Sequence, residues 1–378
     1  MTRRREHLRE GFTTGTAAAA AAKAAVLSLL GLAVAEQLDT PLPTGARLAV
    51  PVERAAPEAG DALAVRALVI KDGGDDPDAT HMAAIEAVAR LAPDRPGVRI
   101  EGGRGVGRVT LPGLPVAVGE AAINPAPRAQ ISAAVQEALD AAGFAGGADI
   151  RIDVPDGEEI ARHTMNARLG IVGGISILGT RGTVRPFSHD SWAAAVAQGL
   201  SVARALGHAD IALATGGRSE RFLRAALPRL PAHCFAQAAD FFAFSCQEAA
   251  RLGFARLHWG VFIGKLVKQA QGLSQTHARE APLDFAFLAG RARAAGIPAP
   301  LAEEVGRANT ARQALDLLRG QSALPRLARG LCVQAAQHAA AFAAAGGKPV
   351  LARCLLFDYD GSLLGDASAG ELREEDYT

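Results

Sequence analysis

From about residue 171 onward, short apolar runs rich in β-branched residues alternate with stretches of helical length. "GIVGGISILG" is followed by a helical stretch over 189–206, the run "ADIALAT" with "GGRSE", a helix over 239–252, and "ARLHWGVFIG" with a helix over 264–272. Strands that alternate with helices of this length predict a three-layer α/β domain with a mainly parallel sheet. Ligands of such domains sit beyond the carboxyl ends of the strands, which is where the glycines of these runs fall.

The preceding part follows no such rhythm. "GFTTGTAAAAAAKAA" (11–25) opens a helix predicted over 16–30, with Thr16 as N-cap and Gly31 as its stop. Strand-like runs lie at 46–54 and 63–71, a helix is predicted over 82–92, and "VRIEG" and "VGRVTL" read as short strands. A helix over 127–142 closed by Gly143 and a strand "ADIRIDVP" ending near Pro155 complete a mixed α+β pattern. At 378 residues the chain exceeds the usual size of one core. The expected division is an α+β domain over 1–160 and an α/β domain over 161–378, the latter carrying a helical segment at 280–346 and a hairpin that turns at Asp360 and Gly361.

Forty basic and 39 acidic side chains leave a net charge of +1, so no global field draws this chain to nucleic acid or a membrane, and anion binding must come from local clusters. Cys234, Cys246, Cys332 and Cys354 form no C-x-x-C pair, which argues against a zinc site or a disulfide framework and fits a reducing cytoplasm. "TRRREHL" followed by an apolar stretch imitates a twin-arginine leader, but Glu6 and Glu10 sit in the basic region and Lys23 interrupts the apolar one.

Several stretches carry chemistry. "KDGGDDPDATH" (71–81) gathers Asp72, Asp75, Asp76, Asp78 and His81 on a turn, suited to a divalent cation, a general base or a cationic ligand group, and equally to a solvated turn that caps the next helix. "GGRGVGRVTLPGLPV" (102–116) has neither the dinucleotide fingerprint nor a phosphate loop, so its glycines admit close backbone approach or form a plain hairpin. "GISILGTRGTVRPFS" and "ATGGRSE" each put glycine and threonine at a predicted strand end; Gly179, Thr180, Gly182, Thr215, Gly216 and Gly217 are therefore the expected cofactor-binding residues. Lys265 and Lys268 share a helical face behind Gly264 and suit an anion. Thr13, Thr14, Gly15 and Thr16 stand at the positive end of the alanine helix, where a carboxylate is favoured. "LLFDYDGSLL" imitates the opening motif of haloacid-dehalogenase phosphatases, yet only 14 residues follow Leu364, so a structural hairpin is expected.

In order, "GFTTGTAAAAAAKAA", "KDGGDDPDATH", "GRGVGRVTLPGLPVAVGEAAINPAPR", "GIVGGISILGTRGTVRP" and "GFARLHWGVFIGKLVKQAQGLSQTH" resemble the cobalt-precorrin-5B C(1)-methyltransferase (CbiD) family of anaerobic cobalamin biosynthesis. The resemblance implies S-adenosylmethionine-dependent methylation of ring carbon C(1) of a partly built corrin, giving cobalt-precorrin-6A, on an α+β domain joined to an α/β domain. Cobalt then belongs to the substrate, and no protein-bound metal is implied. The acetates and propionates of the macrocycle suit a cleft lined by Lys23, Arg104, Arg128, Arg181, Lys265 and Lys268, and Asp72, Asp75, Asp76 or His81 would assist proton removal or face the sulfonium. Where the family commonly has cysteine this chain has Ala17, and where it often has histidine before I-G-K this chain has Phe262, so neither a thiol nor an imidazole is implied there.

Two other readings compete. A small-molecule kinase would need a phosphate loop before a helix, whereas a strand follows Gly107. A non-catalytic tetrapyrrole-binding protein would take the corrinoid without S-adenosylmethionine. A homodimer is the base-rate expectation.

Overall fold

The computed structural model describes residues 8–278 and 280–370. Arg3, Arg4, Arg5 and Glu6 of the leader-like stretch lie outside the described residues. The chain forms two compact units, Met1–His189 and Asp190–Thr378. The division thus falls later than the 160/161 boundary expected from the sequence.

In the first unit β1 (Gly11–Phe12) leads directly into α1 (Thr14–Leu29). Thr13, not Thr16, is the N-cap: its Oγ1 accepts the Thr16 N–H at 3.2 Å. The alanines of α1 are fully buried, because a helix with so little side-chain bulk can be enclosed on every side. Against it packs a five-stranded sheet of β2 (Arg54–Glu58), β3 (Asp61–Ile70), β4 (Ala84–Ala92), β5 (Val98–Gly102) and β6 (Gly147–Asp153), in the order β2-β3-β4-β6-β5. All pairs are antiparallel except β6 with β5. The helix α2 (Pro125–Ala141) completes the core, and β7 (Thr183–Val184) pairs with β1.

The segment expected as a helix over 82–92 is the central strand β4. Ile85, Ala87 and Ala89 face α1 while Glu86 and Val88 point the other way, a period of two hidden behind helix-favouring alanine and glutamate. Pairing on both edges outweighs that local preference.

The run "GIVGGISILG" also departs from expectation. It belongs to the first unit as two short strands, Ile171–Val172 and Gly174–Ile175, paired with Arg108–Val109 and Gly105–Val106.

The second unit follows α3 (His189–Ala205), β8 (Asp210–Ala214), α4 (Gly217–Ala226), β9 (Phe235–Gln237), α5 (Phe242–Leu252), β10 (Arg256–Val261) and α6 (Ile263–Ala270). Helices α7 (Phe285–Ala295), α8 (Ala299–Gly306), α9 (Ala311–Leu318) and α10 (Leu324–Gly346) precede the hairpin of β11 (Leu351–Phe357) and β12 (Leu363–Ala369). The sheet order is β9-β8-β10-β11-β12, parallel except for the last pair. Alternate residues cover opposite faces: Ile211, Leu213, Leu257 and Trp259 join one core cluster, whereas Ala212, Ala214, Leu355 and Phe357 meet Leu223 of α4. The protein is thus mixed α/β, with sheets of mixed orientation. Among the described residues no helix is long and apolar enough to cross a membrane.

Asp358 N–H donates to Ser362 O at 2.8 Å and Gly361 stands at φ 101°, so "FDYDGS" closes a hairpin.

Candidate functional site

Three stretches distant in sequence cross in the first unit: residues 9–16, the aspartate turn 71–81, and residues 176–187. Phe12 N–H donates to Asp72 O at 2.8 Å, and Asp75 N–H donates to Arg9 O at 3.0 Å. The approach is so close that a Cβ on Gly11 would lie 2.3 Å from Asp72 O. Gly74, at φ 64°, passes equally near Arg9 O.

This crossing uses most of the polar groups expected to act on a substrate. Asp72 takes both guanidinium nitrogens of Arg9, one at 3.0 Å, and accepts the Gly74 N–H at 2.8 Å; the Arg9 contact holds its carboxyl below the usual range. Asp75 accepts Arg9 N–H at 2.8 Å and Asp76 accepts Phe187 N–H at 2.8 Å. Each of Asp72, Asp75 and Asp76, expected as a general base, thus accepts a hydrogen bond from the chain's own backbone. His81 is different. Its Nδ1 accepts the Gly73 N–H at 3.0 Å, which places the ring proton on Nε2, and its side chain is 41% exposed.

Sequence reasoning missed the partner that anchors the turn. Lys71, 1% exposed, reaches Asp78 Oδ2 at 2.5 Å, and Asp78 also accepts the Thr80 N–H and hydroxyl, each at 2.7 Å. No helix follows for Asp78 or Thr80 to cap.

The positive end of α1 is likewise taken by the chain itself. Thr13 N–H and the Thr16 hydroxyl donate to Gly182 O at 3.0 and 2.8 Å, and Gly15 N–H donates to Leu178 O at 3.1 Å. Thr14 Oγ1 accepts Leu178 N–H at 2.9 Å. Thr13, Thr14, Gly15 and Thr16 are all buried, so the expected carboxylate site is filled by backbone carbonyls of residues 178 and 182. Two of the three residues expected as a cofactor loop also lie close to neighbouring chain: a Cβ on Gly179 would stand 2.4 Å from Thr13 Oγ1, and one on Gly182 would stand 2.8 Å from Leu42, while Thr180 is exposed.

The expected substrate cations are scattered. Lys23 is buried against Glu137 Oε2 at 2.6 Å and Asp39 O at 2.8 Å, and Arg128 donates to Ile123 O and Ile100 O at 3.0 and 3.1 Å. Lys23 is thus taken up internally, which corrects its assignment, whereas the Arg128 side chain remains 32% exposed. Arg104 and Arg181 are exposed. In the second unit Lys268 donates to Thr276 O at 2.9 Å, and Lys265 contacts Asp240. Burial and the neighbouring Lys268 push Lys265 down to about 8, while the Asp240 contact acts in the opposite sense.

The carboxyl edge of the second sheet offers a more open arrangement. Thr215, Gly216 and Gly217 follow β8, and a Cβ on Gly216 would meet nothing within 4 Å. Beyond β10, the Phe262 ring stacks on Tyr359 at 5.0 Å, with the Arg218 guanidinium 5.7 Å from both rings. Burial raises the Tyr359 hydroxyl above its ordinary value. Sequence reasoning found the glycines but not the aromatic pair, whose members lie far apart in the chain. In the sequence Phe262 stands out only as a departure from a family pattern.

A second opening lies on the face of the first sheet turned away from α1. It encloses about 800 Å³ and is lined by Arg54, Arg66, Arg104, Arg151, Glu58, Glu86 and Asp153, among others. Of these only Arg104 was expected from sequence. Reading 82–92 as a helix hid the rest, since the face exists only when Glu86 stands on a strand.

These features define a two-unit mixed α/β protein with an open glycine turn at a parallel sheet edge and a charged cavity on a separate, mostly antiparallel sheet. The profile of the CbiD family matches residues 1–186, and that of the CbiD C-terminal domain matches residues 275–368. A cobalt-precorrin-5B C(1)-methyltransferase of Nitratidesulfovibrio vulgaris is 55% identical over 91% of this chain and 90% of its own length. Proteins of the same name from a Geobacillus species and Dechloromonas aromatica are 46% and 44% identical, over 82% and 88% of this chain and 84% and 85% of theirs. A crystal structure of a cobalamin biosynthesis protein (cbiD) from Archaeoglobus fulgidus is 32% identical, covers 69% of this chain and 79% of that one, and superposes with a TM-score of 0.37. The chain belongs to the CbiD family.

Proposed function

We propose that this protein is a cobalt-precorrin-5B C(1)-methyltransferase, transferring a methyl group from S-adenosylmethionine to ring carbon C(1) to give cobalt-precorrin-6A. The observation that carries this reading is 55% identity to a relative of that name over 91% of this chain. Cobalt enters with the substrate.

S-adenosylmethionine supplies an electrophilic methyl on a sulfonium when bound. The residues at the second sheet's edge fit such a group: Gly216 leaves open space where a Cβ would stand, and Thr215 and the following N–H groups at the start of α4 offer donors. Gly179 and Gly182 offer no such open space, because a Cβ on either would meet Thr13 or Leu42. Methyl transfer to carbon is a displacement, so the protein's task is to align the two reactants and exclude water. No covalent enzyme intermediate is needed. In the first unit the hydrogen bonds of the aspartate crossing position the backbone of residues 72–76, and His81 presents Nε2–H as a donor for an anionic group of the substrate. The reading carries a cytoplasmic location and a homodimer as working expectations.

Anaerobic incubation with cobalt-precorrin-5B and methyl-labelled S-adenosylmethionine tests the proposal. Label in the corrinoid product is expected. A folded protein that binds the corrinoid and transfers no label would instead be a tetrapyrrole carrier.

A further inference from the structure

The cavity on the open face of the first sheet is built by cross-strand register. Arg54, Leu68, Glu86 and Asp153 stand in one row across β2, β3, β4 and β6, and Ala56, Arg66, Val88 and Arg151 stand in the next. Alternation puts both rows on the face opposite the alanine helix.

At its centre Arg66 is saturated. It donates to Glu58 through two bonds of 2.6 Å, to Glu86 at 2.5 Å and to Asp153 at 3.0 Å. Glu86 and Asp153 are 9% and 5% exposed, so the floor of the cavity consists of buried carboxylates neutralised from within. Gly103 is required beside them, since a Cβ there would lie 1.9 Å from Asp153 Oδ1. The glycine-rich stretch at 102–107 thus receives its own chain at Asp153 and Val154, not a phosphate.

The rim has the opposite character. Arg104 uses its backbone N–H on Asp153, and its guanidinium has no partner among the described residues. Arg54 is 61% exposed on its side chain and stands 3.8 Å from Glu86, too far for a hydrogen bond. Arg151 spans Asp153 at 3.1 Å with its side chain 49% exposed. Four arginines against three carboxylates leave one positive charge in excess, and it resides at the mouth.

We propose that this cavity is a carboxylate-binding subsite in which Arg54 and Arg104, backed by Arg151, hold adjacent acetate and propionate groups at one edge of the corrin substrate. This rests on the methyltransferase reading above and adds where the macrocycle's anionic edge is held. The charged side chains of the lining favour an anionic ligand, and guanidinium forks match carboxylates bidentately. Arg66 and its three acids set the floor and do not touch the ligand.

Arg104→Gln and Arg54→Gln test this, since neither side chain makes a strong internal contact and both variants should fold. Binding of cobyrinic acid, a corrinoid with free carboxylates, is compared with that of its fully methyl-esterified form, alongside the KM for cobalt-precorrin-5B. Each variant should weaken free-acid binding and raise that KM about tenfold, the effect of losing one charge-assisted hydrogen bond. The affinity for S-adenosylmethionine and the melting midpoint should stay as in the wild type, and the ester should bind weakly. Methyl transfer with unchanged KM in both variants, or an ester that binds as tightly as the acid, overturns the subsite and leaves the activity standing. A wild-type protein that transfers no methyl group overturns the activity and, with it, this assignment.

Discussion

The ammonium of Lys71 lies 2.5 Å from Oδ2 of Asp78, and the lysine side chain is 1% exposed. Breaking this buried pair from one side leaves an uncompensated charge, so Lys71→Met or Asp78→Asn should cost about 3–5 kcal/mol of unfolding free energy. The double change Lys71→Met with Asp78→Leu should recover much of that loss. Urea unfolding of the full chain reads both effects.

The same pair sets a pH dependence. Burial pushes Asp78 up, but Lys71 and Thr80 outweigh it and hold the carboxyl below its usual value. Its contribution is therefore complete above the unfolded value of about 4 and is lost as the pH falls through the lower folded value. The wild type should lose stability relative to Asp78→Asn as the pH falls below about 4. Equal losses in both proteins would show that Asp78 is not the group responsible.

Glu137 offers a second acid-sensitive contact. Its hydrogen bonds to Arg47, and then to Lys23, bring its carboxyl down to about 2 against an opposing burial effect. The side chain is 35% exposed, so solvent screening limits the contribution to about 1 kcal/mol. Glu137→Gln should show that deficit at pH 7, and the deficit should shrink as the pH falls toward about 2, where the folded wild-type carboxyl is half protonated. Denaturant titrations at the two pH values check it.

Gly11→Ala should disrupt the crossing of the N-terminal strand over the aspartate turn, because its Cβ would meet Asp72 O at 2.3 Å, a backbone atom with no freedom to retreat. A loss of about 1–3 kcal/mol is expected from such overpacking. Faster amide exchange at Phe12 and Asp75 would locate the damage.

The two glycine loops first read as one cofactor site should respond in opposite ways. Gly216→Val enters open space, so the melting midpoint should hold while the KM for S-adenosylmethionine rises at least about tenfold. Gly179→Ala is strained at φ 132° and collides with Thr13, so it should lower stability. An unchanged KM in Gly216→Val would move the cofactor away from this turn.

What the sequence determined by itself was set by local rules. The alanine run specified a slim helix that ends by Gly31, and alternating apolar and helical stretches specified the β-α order from β8 to α6. Aspartate and glycine specified the turns at 72–76 and 358–361. Tertiary structure alone decided which groups meet. Helix-favouring residues at 84–92 became the central strand because hydrogen-bonding partners waited on both sides, and that choice created the charged face of Glu86, Arg66 and Asp153. The donors of Thr13, Gly15 and Thr16 looked free for a ligand, yet carbonyls of Leu178 and Gly182 took them. A donor's chemistry is written in its residue, but its partner is whichever acceptor the fold carries within about 3 Å, and that distance is a property of the packed chain.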